Sequence, residues 1–329
     1  MRRTALLFII VFQSARLFAQ DIDQAFQKSK IAIGYYSEPK KNFSDSAGKY
    51  SFKQIFIRGS VPFFSKSYKN DELLKSKYIR LAWDAGAAFG FPDISFVNTP
   101  HQLNYFMTGL SGFYFNGAKS IWMGSLHTSV SEDNFSLSDP LFRFTGDAIY
   151  VHKSSKVFDY HIGIAYTYLF GNAYVLPVLG FRYHFNEKWK VLVTLPFRSS
   201  LTYRPNKSND WEFFIAPAGS QSGFATNGLI DTAKNFVLRM RKQQYQTGVG
   251  WKFNKKPAVS FDLKAGLLLG RKLTFIDDQN NILSKTGIRN SGFISAAITY
   301  KFGKHSGNKS EKSQISDDLP DNFDPNDLE

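Results

Sequence analysis

The chain has 329 residues, of which 43% are hydrophobic and 16% aromatic, with no cysteine, a net charge of +14 and a mean hydropathy of −0.27. These values exclude a disordered chain and a bundle of membrane helices, which needs apolar runs of about 20 residues. Without cysteine there is neither a disulfide frame nor a lipid-anchored Cys.

In chain order, Arg2 and Arg3 precede the run "ALLFIIVF" (Ala5 to Phe12), too short to span a bilayer, and Ala19 offers a small residue for cleavage. Residues 1–20 are therefore expected to be a secretory signal peptide. Export removes nucleic acid as a partner for the positive charge, and the lysines and arginines are scattered instead of forming one stripe.

From residue 29 onward apolar side chains recur with a period of two, which only an extended strand turns into two faces. "YIRLAWDAGAAFG" sets Ile79, Leu81, Trp83, Ala85, Ala87 and Phe89 against Arg80, Asp84, Gly86 and Gly90. In "VFDYHIGIAYTYLF" the residues Phe158, Tyr160, Ile162, Ile164, Tyr166, Tyr168 and Phe170 oppose Asp159, His161, Gly163, Ala165 and Thr167. Val175, Pro177, Leu179, Phe181, Tyr183 and Phe185 oppose Gly180, Arg182 and His184; after the polar turn "NEK" the pattern resumes with Trp189, Val191, Val193 and Leu195. "AVSFDLKAGLLLGRKLTF" puts Val259, Phe261, Leu263, Ala265, Leu267 and Leu269 on one face. Ser260, Asp262, Lys264, Gly266, Gly270 and Lys272 fall on the other.

Such segments predict about 14 strands, near residues 29–38, 50–63, 76–91, 102–116, 118–131, 141–153, 157–170, 174–185, 188–196, 198–205, 209–219, 237–254, 257–275 and 289–302. The expected architecture is all-β: a transmembrane antiparallel up-and-down barrel in the bacterial outer membrane, over residues 21–302. Both termini would be periplasmic, with mostly short turns on that side ("NGAK", "KSSK", "NEK", "NKKP") and mostly longer loops outside. The long link around "SKSYKNDELLK" and the abrupt break at Pro196 and Phe197 strain this scheme and keep a count of 12 as the alternative. A secreted β-sandwich would alternate too. Aromatic residues gathered near strand ends (Tyr35, Trp83, Trp122, Trp189, Trp211, Trp251, Phe253, Tyr300, Phe302) and the need to close a sheet of this size favour the barrel. Residues 303–329 are expected to be a disordered tail: six acids and no base lie between Ser313 and Glu329. With +14 on the whole chain, the remainder carries +20.

"GFRYHFNEKWKVLVTLPFRSSLTYRP" followed by "DWEFFIAP" resembles the shared core of a family of bacterial outer-membrane β-barrel proteins of unknown function. A strand ending in an Arg-aromatic pair, a short turn, a Trp and a Leu-Pro break carry the resemblance. It implies the fold and the location, with no reaction or catalytic residues to transfer.

Little chemistry is legible. His127 and Ser129 share a strand face, a spacing that resembles the His-x-Ser of outer-membrane lipid hydrolases. Val130 stands where those enzymes have Asn, and Trp122, Leu126 and Val130 claim the lipid side, turning His127 and Ser129 inward. The six histidines show no metal-ligand spacing, Gly248 and Gly250 form no dinucleotide fingerprint, and no catalytic, metal or cofactor site is expected. Polar strand faces turned inward collect Arg58, Arg80, Asp84, Arg143, Asp147, Asp159, His161, Arg182, His184, Lys190, Lys252, Asp262 and Lys264 as lumen charges.

Three functional classes follow: a passive channel or transporter whose basic lumen favours small anionic solutes, a structural or interaction barrel with a filled lumen, and a lipid-modifying enzyme. The expected partners are the outer-membrane bilayer, the barrel assembly machinery and a small anionic solute.

Overall fold

The protein is described from a computed structural model, which covers residues 29–302 except 46, 71–74, 96–101, 117–118, 133–140, 156, 170–171, 207, 219–223, 228–236, 257 and 277–281. The signal-peptide and acidic-tail expectations lie outside these residues.

The described residues form β1 (Ser29–Asn42), β2 (Lys49–Asn70), β3 (Lys75–Ile94), β4 (Leu103–Phe115), β5 (Ser120–Glu132), β6 (Leu141–Lys153), β7 (Phe158–Leu169), β8 (Asn172–His184), β9 (Trp189–Leu195), β10 (Arg198–Asn206), β11 (Asn209–Ala218), β12 (Phe224–Asn227), β13 (Val237–Lys256), β14 (Val259–Ile276), β15 (Ile282–Gly287) and β16 (Ser291–Phe302). Each of β1 to β10 pairs antiparallel with the next; β11 pairs with β13, β13 with β14, β14 with β16, and β16 with β1. The ring closes with 14 staves and excludes the 12-strand alternative. The short β12 pairs only with the tip of β13, and β15 only with the tip of β14, so both extend the wall where the sequence reads as loop. Their few residues sit among turn-forming ones, too short a stretch for alternation to register.

Both difficult links resolve as strand geometry. β2 and β3 stay paired down to Asn70 opposite Lys75, so the described part of the long link is strand. Pro196 and Phe197 form a tight turn closed by the Phe197 N–H on the Thr194 carbonyl at 2.7 Å. In the "NEK" turn the Asn186 side-chain oxygen accepts from the N–H groups of Lys188 (2.9 Å) and Trp189 (3.0 Å), which fixes the β8–β9 register.

The outer face is a belt of exposed large apolar residues, including Ile33, Leu110, Leu126, Ile162, Leu179, Leu195, Leu263, Leu267 and Ile298. A water-facing surface does not carry such a belt, and a barrel in lipid requires it. Near the end that carries the termini an outward aromatic collar runs through Trp122 on Tyr150 (4.8 Å between centroids), Trp189 on Tyr203 (4.5 Å), Trp211 on Trp251 (6.1 Å) and Tyr300 on Phe302 (6.1 Å).

One parity expectation is corrected. Gly270 has φ +60°, and the β13–β14 register shifts beside it, between Gln243 and Tyr245. Beyond this bulge the in–out alternation reverses: Arg271, Leu273 and Phe275 are buried, while Lys272 is exposed. Lys272 therefore lies on the outer side of the wall, contrary to the uninterrupted alternation read from the sequence.

Candidate functional site in the barrel lumen

Fourteen staves enclose more space than the eight that side chains fill and less than the 16 to 18 of open pores, so the side chains decide what the lumen is. At the end opposite the termini it is packed. Tyr36, Tyr50, Phe52, Phe56, Leu103, Tyr105, Met107, Phe214, Met240, Leu268, Leu273, Phe275 and Phe293, drawn from β1, β2, β4, β11, β13, β14 and β16, form one buried cluster. Inside it Glu38, with no side-chain exposure, accepts from Lys242 (2.7 Å), Arg271 (2.6 Å), Gln244 (3.0 Å) and the Tyr36 hydroxyl (2.8 Å). Lys242 and Arg271 also stand over aromatic faces, Lys242 on Phe52 at 4.1 Å and Arg271 on Tyr50 at 5.6 Å. Both oxygens of a buried carboxylate are thus satisfied, without which its charge would be prohibitive. β12 lies against β4 and β5 on the far wall and so crosses the mouth above this cluster.

Lower down, a second apolar cluster (Phe113, Ile121, Met123, Ile149, Val151, Ala165, Val178) fills the β4–β8 side. Polar groups around it are paired locally. His127 Nε2 and Asp84 are 3.0 Å apart, Ser125 donates to Asp147, Arg182 meets Asp159 at 3.3 Å, and His161 contacts the Thr194 hydroxyl at 3.1 Å. His127 and Ser129 both face inward and are buried, so the imagined lipid-hydrolase pair is turned away from lipid, with the imidazole on Asp84. Gly180 owes its identity to this crowding: a Cβ there would overlap the Val193 carbonyl and the His161 ring.

The end near the termini is different. A cavity of about 140 Å3 is lined by Lys30, Arg58, Lys190, Arg198, Lys252, Lys264 and Lys301 against only Asp210, Glu212 and Asp262, with Thr202, Ser260 and Thr299 between them. Its acids sit on β11 and β14, where Arg198 pairs with Glu212 at 2.5 Å, Arg204 grips Asp210 at 2.7 and 3.2 Å, and Lys264 lies 3.6 Å from Asp262. The last two side chains keep 27% and 35% exposure, so this chamber is wet.

Of the charges expected inside, Arg58, Lys190, Lys252, Asp262 and Lys264 converge on this cavity. Asp84, Asp147, Asp159, His161 and Arg182 are the locally paired groups around the second apolar cluster, with Asp159 and Arg182 at the ends of β7 and β8. Arg80 and Arg143 are buried on inward faces, and His184 stands beside Lys190 across the β8–β9 pair. Sequence reading placed Lys30 and Lys301 within the predicted strands 29–38 and 289–302 but did not count them among the inward charges, and it likewise left out Arg198, Asp210 and Glu212 on β10 and β11. It also missed the Glu38 cluster: Glu38 is the last residue of the predicted strand 29–38, and the Gly270 bulge hides Arg271.

No curated protein matches the sequence. Among solved structures, similarity is found to an outer-membrane channel from Pseudomonas putida F1 at 11% identity, covering 88% of this chain and 99% of that one, with a TM-score of 0.45. The transport unit of the autotransporter AIDA-I from Escherichia coli is similar at 9% identity, 92% and 97% coverage and a TM-score of 0.38. LpxR from Salmonella typhimurium gives 9%, 83% and 100%, and 0.38. Residues 121–301, more than half of the chain and inclusive of the segment whose resemblance was read from sequence, match the family described as a domain of unknown function, DUF6268, and the chain belongs to that family.

Proposed function

We propose that this barrel resides in the bacterial outer membrane, termini toward the periplasm, and is a gated conduit for small anionic solutes. The observation that carries this reading is the cavity near the termini, where seven cationic side chains face three carboxylates. Such a surplus lowers the barrier for anions and raises it for cations. The packed opposite end, bridged by β12, acts as the gate in this reading, so passage requires β12 and the tip of β13 to move. A barrel with a purely structural role is the second reading, favoured by the buried Glu38 cluster. Lipid hydrolysis is not part of either, because His127 and Ser129 are buried on the inward face, away from the lipid side of the wall.

Single-channel recording in planar bilayers under a KCl gradient tests the proposal. The expected result is intermittent openings whose reversal potential reports anion preference, reduced by R58E with K252E and screened at 1 M salt, where the Debye length falls to about 3 Å. Cation preference would overturn it, and complete electrical silence would transfer the case to the structural reading.

A further inference from the structure

One corner of the outer wall turns basic where the apolar belt ends. Beyond the Gly270 bulge Lys272 is exposed on the outer face of β14, directly opposite Gly287 of β15. Lys285 and Arg289 stand two positions to either side of Gly287. Both are exposed while Thr286 and Ile288 between them are buried, so they share the outer face with Lys272. Diagonal neighbours on one sheet face lie about 7–8 Å apart, which sets Lys272 at that distance from each. The Arg289 N–H donates to the Asn42 carbonyl at 3.1 Å, and Asn42 is opposite Lys49, which is also exposed. Lys49 is therefore two strands, or about 10 Å, from Arg289. Asp45, in the β1–β2 turn, accepts from the Gly287 N–H at 3.0 Å and bounds the patch on its upper side.

Height puts this corner at a membrane boundary. Phe261, stacked on Phe253 at 6.5 Å, continues the collar near the termini, and Lys272 follows it by 11 positions on the same strand. Arg289 is equally far in sequence from the collar residue Tyr300. Such a run, at about 3.4 Å per residue on staves tilted by about 40°, climbs about 29 Å, just past an apolar band of about 25 Å. Leu267 and Ile294, 54% and 59% exposed, occupy the wall in between. A cation at that height lays its stem against lipid tails and its head among the headgroups.

We infer that Lys49, Lys272, Lys285 and Arg289 form a docking site for a lipid headgroup that carries two phosphates. The lysines supply point charges, and the Arg289 guanidinium supplies the planar fork that matches two oxygens of one phosphate. Lys272, Lys285 and Arg289 are close enough to share one phosphate, and the step of about 10 Å to Lys49 suits a second on the same headgroup. Basic clusters at a membrane surface attract anionic headgroups, and here the tails of the same lipid would lie on Leu267 and Ile294, which favours a lipid over a soluble anion. The inference rests on the membrane placement proposed above and not on conduction.

Native mass spectrometry of the full-length barrel tests the inference, with the protein extracted from membranes into mild neutral detergent and titrated with diphosphoryl lipid A and, separately, monophosphoryl lipid A. Retention of the diphosphoryl lipid is expected to exceed that of the monophosphoryl lipid. It should weaken about tenfold in K272Q/R289Q, whose folding is checked by heat-modifiable gel mobility. K49Q/K285Q, on the flanks of the patch, is the second variant and is expected to weaken retention similarly. K66Q/K77Q removes the same charge from the β2–β3 hairpin at the opposite end of the wall, where Lys66 is exposed beside Tyr68, and should leave retention unchanged. Equal retention of the two lipids, an equal loss in K66Q/K77Q, or undiminished retention in both folded patch variants would overturn the site. Recovery of the barrel outside the membrane fraction would fail the membrane placement itself, whereas a membrane-extracted barrel that retains neither lipid fails only the site.

Discussion

The two ends of the lumen use the same residue types for opposite purposes. At the packed end Glu38 holds Lys242 and Arg271 at 2.7 and 2.6 Å, with side-chain exposures between 0 and 4%. At the wet end Lys264 and Asp262 are 3.6 Å apart, and each keeps a quarter or more of its surface exposed. The first arrangement compels tight pairing, because a charge deprived of water has no other partner. The second tolerates the looser geometry of Lys264 and Asp262, because water screens the pair. An interior ion pair is thus a lock or a loose surface according to its solvation.

The sharpest way to break the contrast is to remove one acid from each end. Glu38→Ala should leave two buried cations uncompensated and cost about 3–5 kcal/mol, read as a lower urea midpoint or loss of heat-modifiable mobility. Asp262→Ala should cost about 0–1 kcal/mol in the same assay. Equal penalties would show that solvation does not separate the two ends.

A second test turns from the lumen to the wall. Leu267 is 54% exposed on the outer face. Leu267→Arg should destabilise the assembled barrel by about 2–4 kcal/mol near the midplane of the bilayer. Lys264→Arg, on the inward face, should be tolerated. If both variants assemble equally well in lipid, the outer face has been misassigned.

The smallest effect is expected at the rim. Asp45, in the turn between β1 and β2, accepts from the Thr286 hydroxyl at 2.7 Å and the Gly287 N–H at 3.0 Å. These hydrogen bonds hold its carboxyl below the ordinary carboxylate range, the Thr286 donor contributing most. A depressed pKa means the clasp is complete above the unfolded value and is lost as pH falls through the folded one. The protection factor of the Gly287 amide, its exchange rate divided into the intrinsic rate at the same pH, should therefore be steady at neutral pH and fall only in acid, whereas Asp45→Asn should remove most of that pH dependence while weakening the clasp. A protection factor that already falls in the wild type near neutrality would contradict the assignment.

Much of the wall was legible from sequence because an antiparallel barrel stave obeys one local rule, a period of two between lipid and lumen, and that rule survives wherever the backbone is regular. It fails where the backbone departs from it. Gly270 inserts a bulge that exchanges the faces of Arg271 and Lys272, and β12 and β15 are too short for alternation to emerge. The candidate site was less accessible. Inward direction can be read residue by residue, but partners cannot: Glu38 lies 204 positions from Lys242 and 233 from Arg271, and only closure of the ring makes them neighbours. Lys30 and Lys301 likewise meet because the first and last staves pair, a fact carried by the topology and by no local pattern.

β12 also matters mechanically. It is bonded to β13 yet rests against β4 and β5, which lie about half-way round the ring in either direction. A hoop of hydrogen-bonded strands resists stretching along its circumference but flattens readily under lateral load. A strut across its diameter stiffens it against ovalisation. Fluctuations in cross-section, driven by the surrounding bilayer, should therefore be damped at the strutted rim and concentrated at the opposite one.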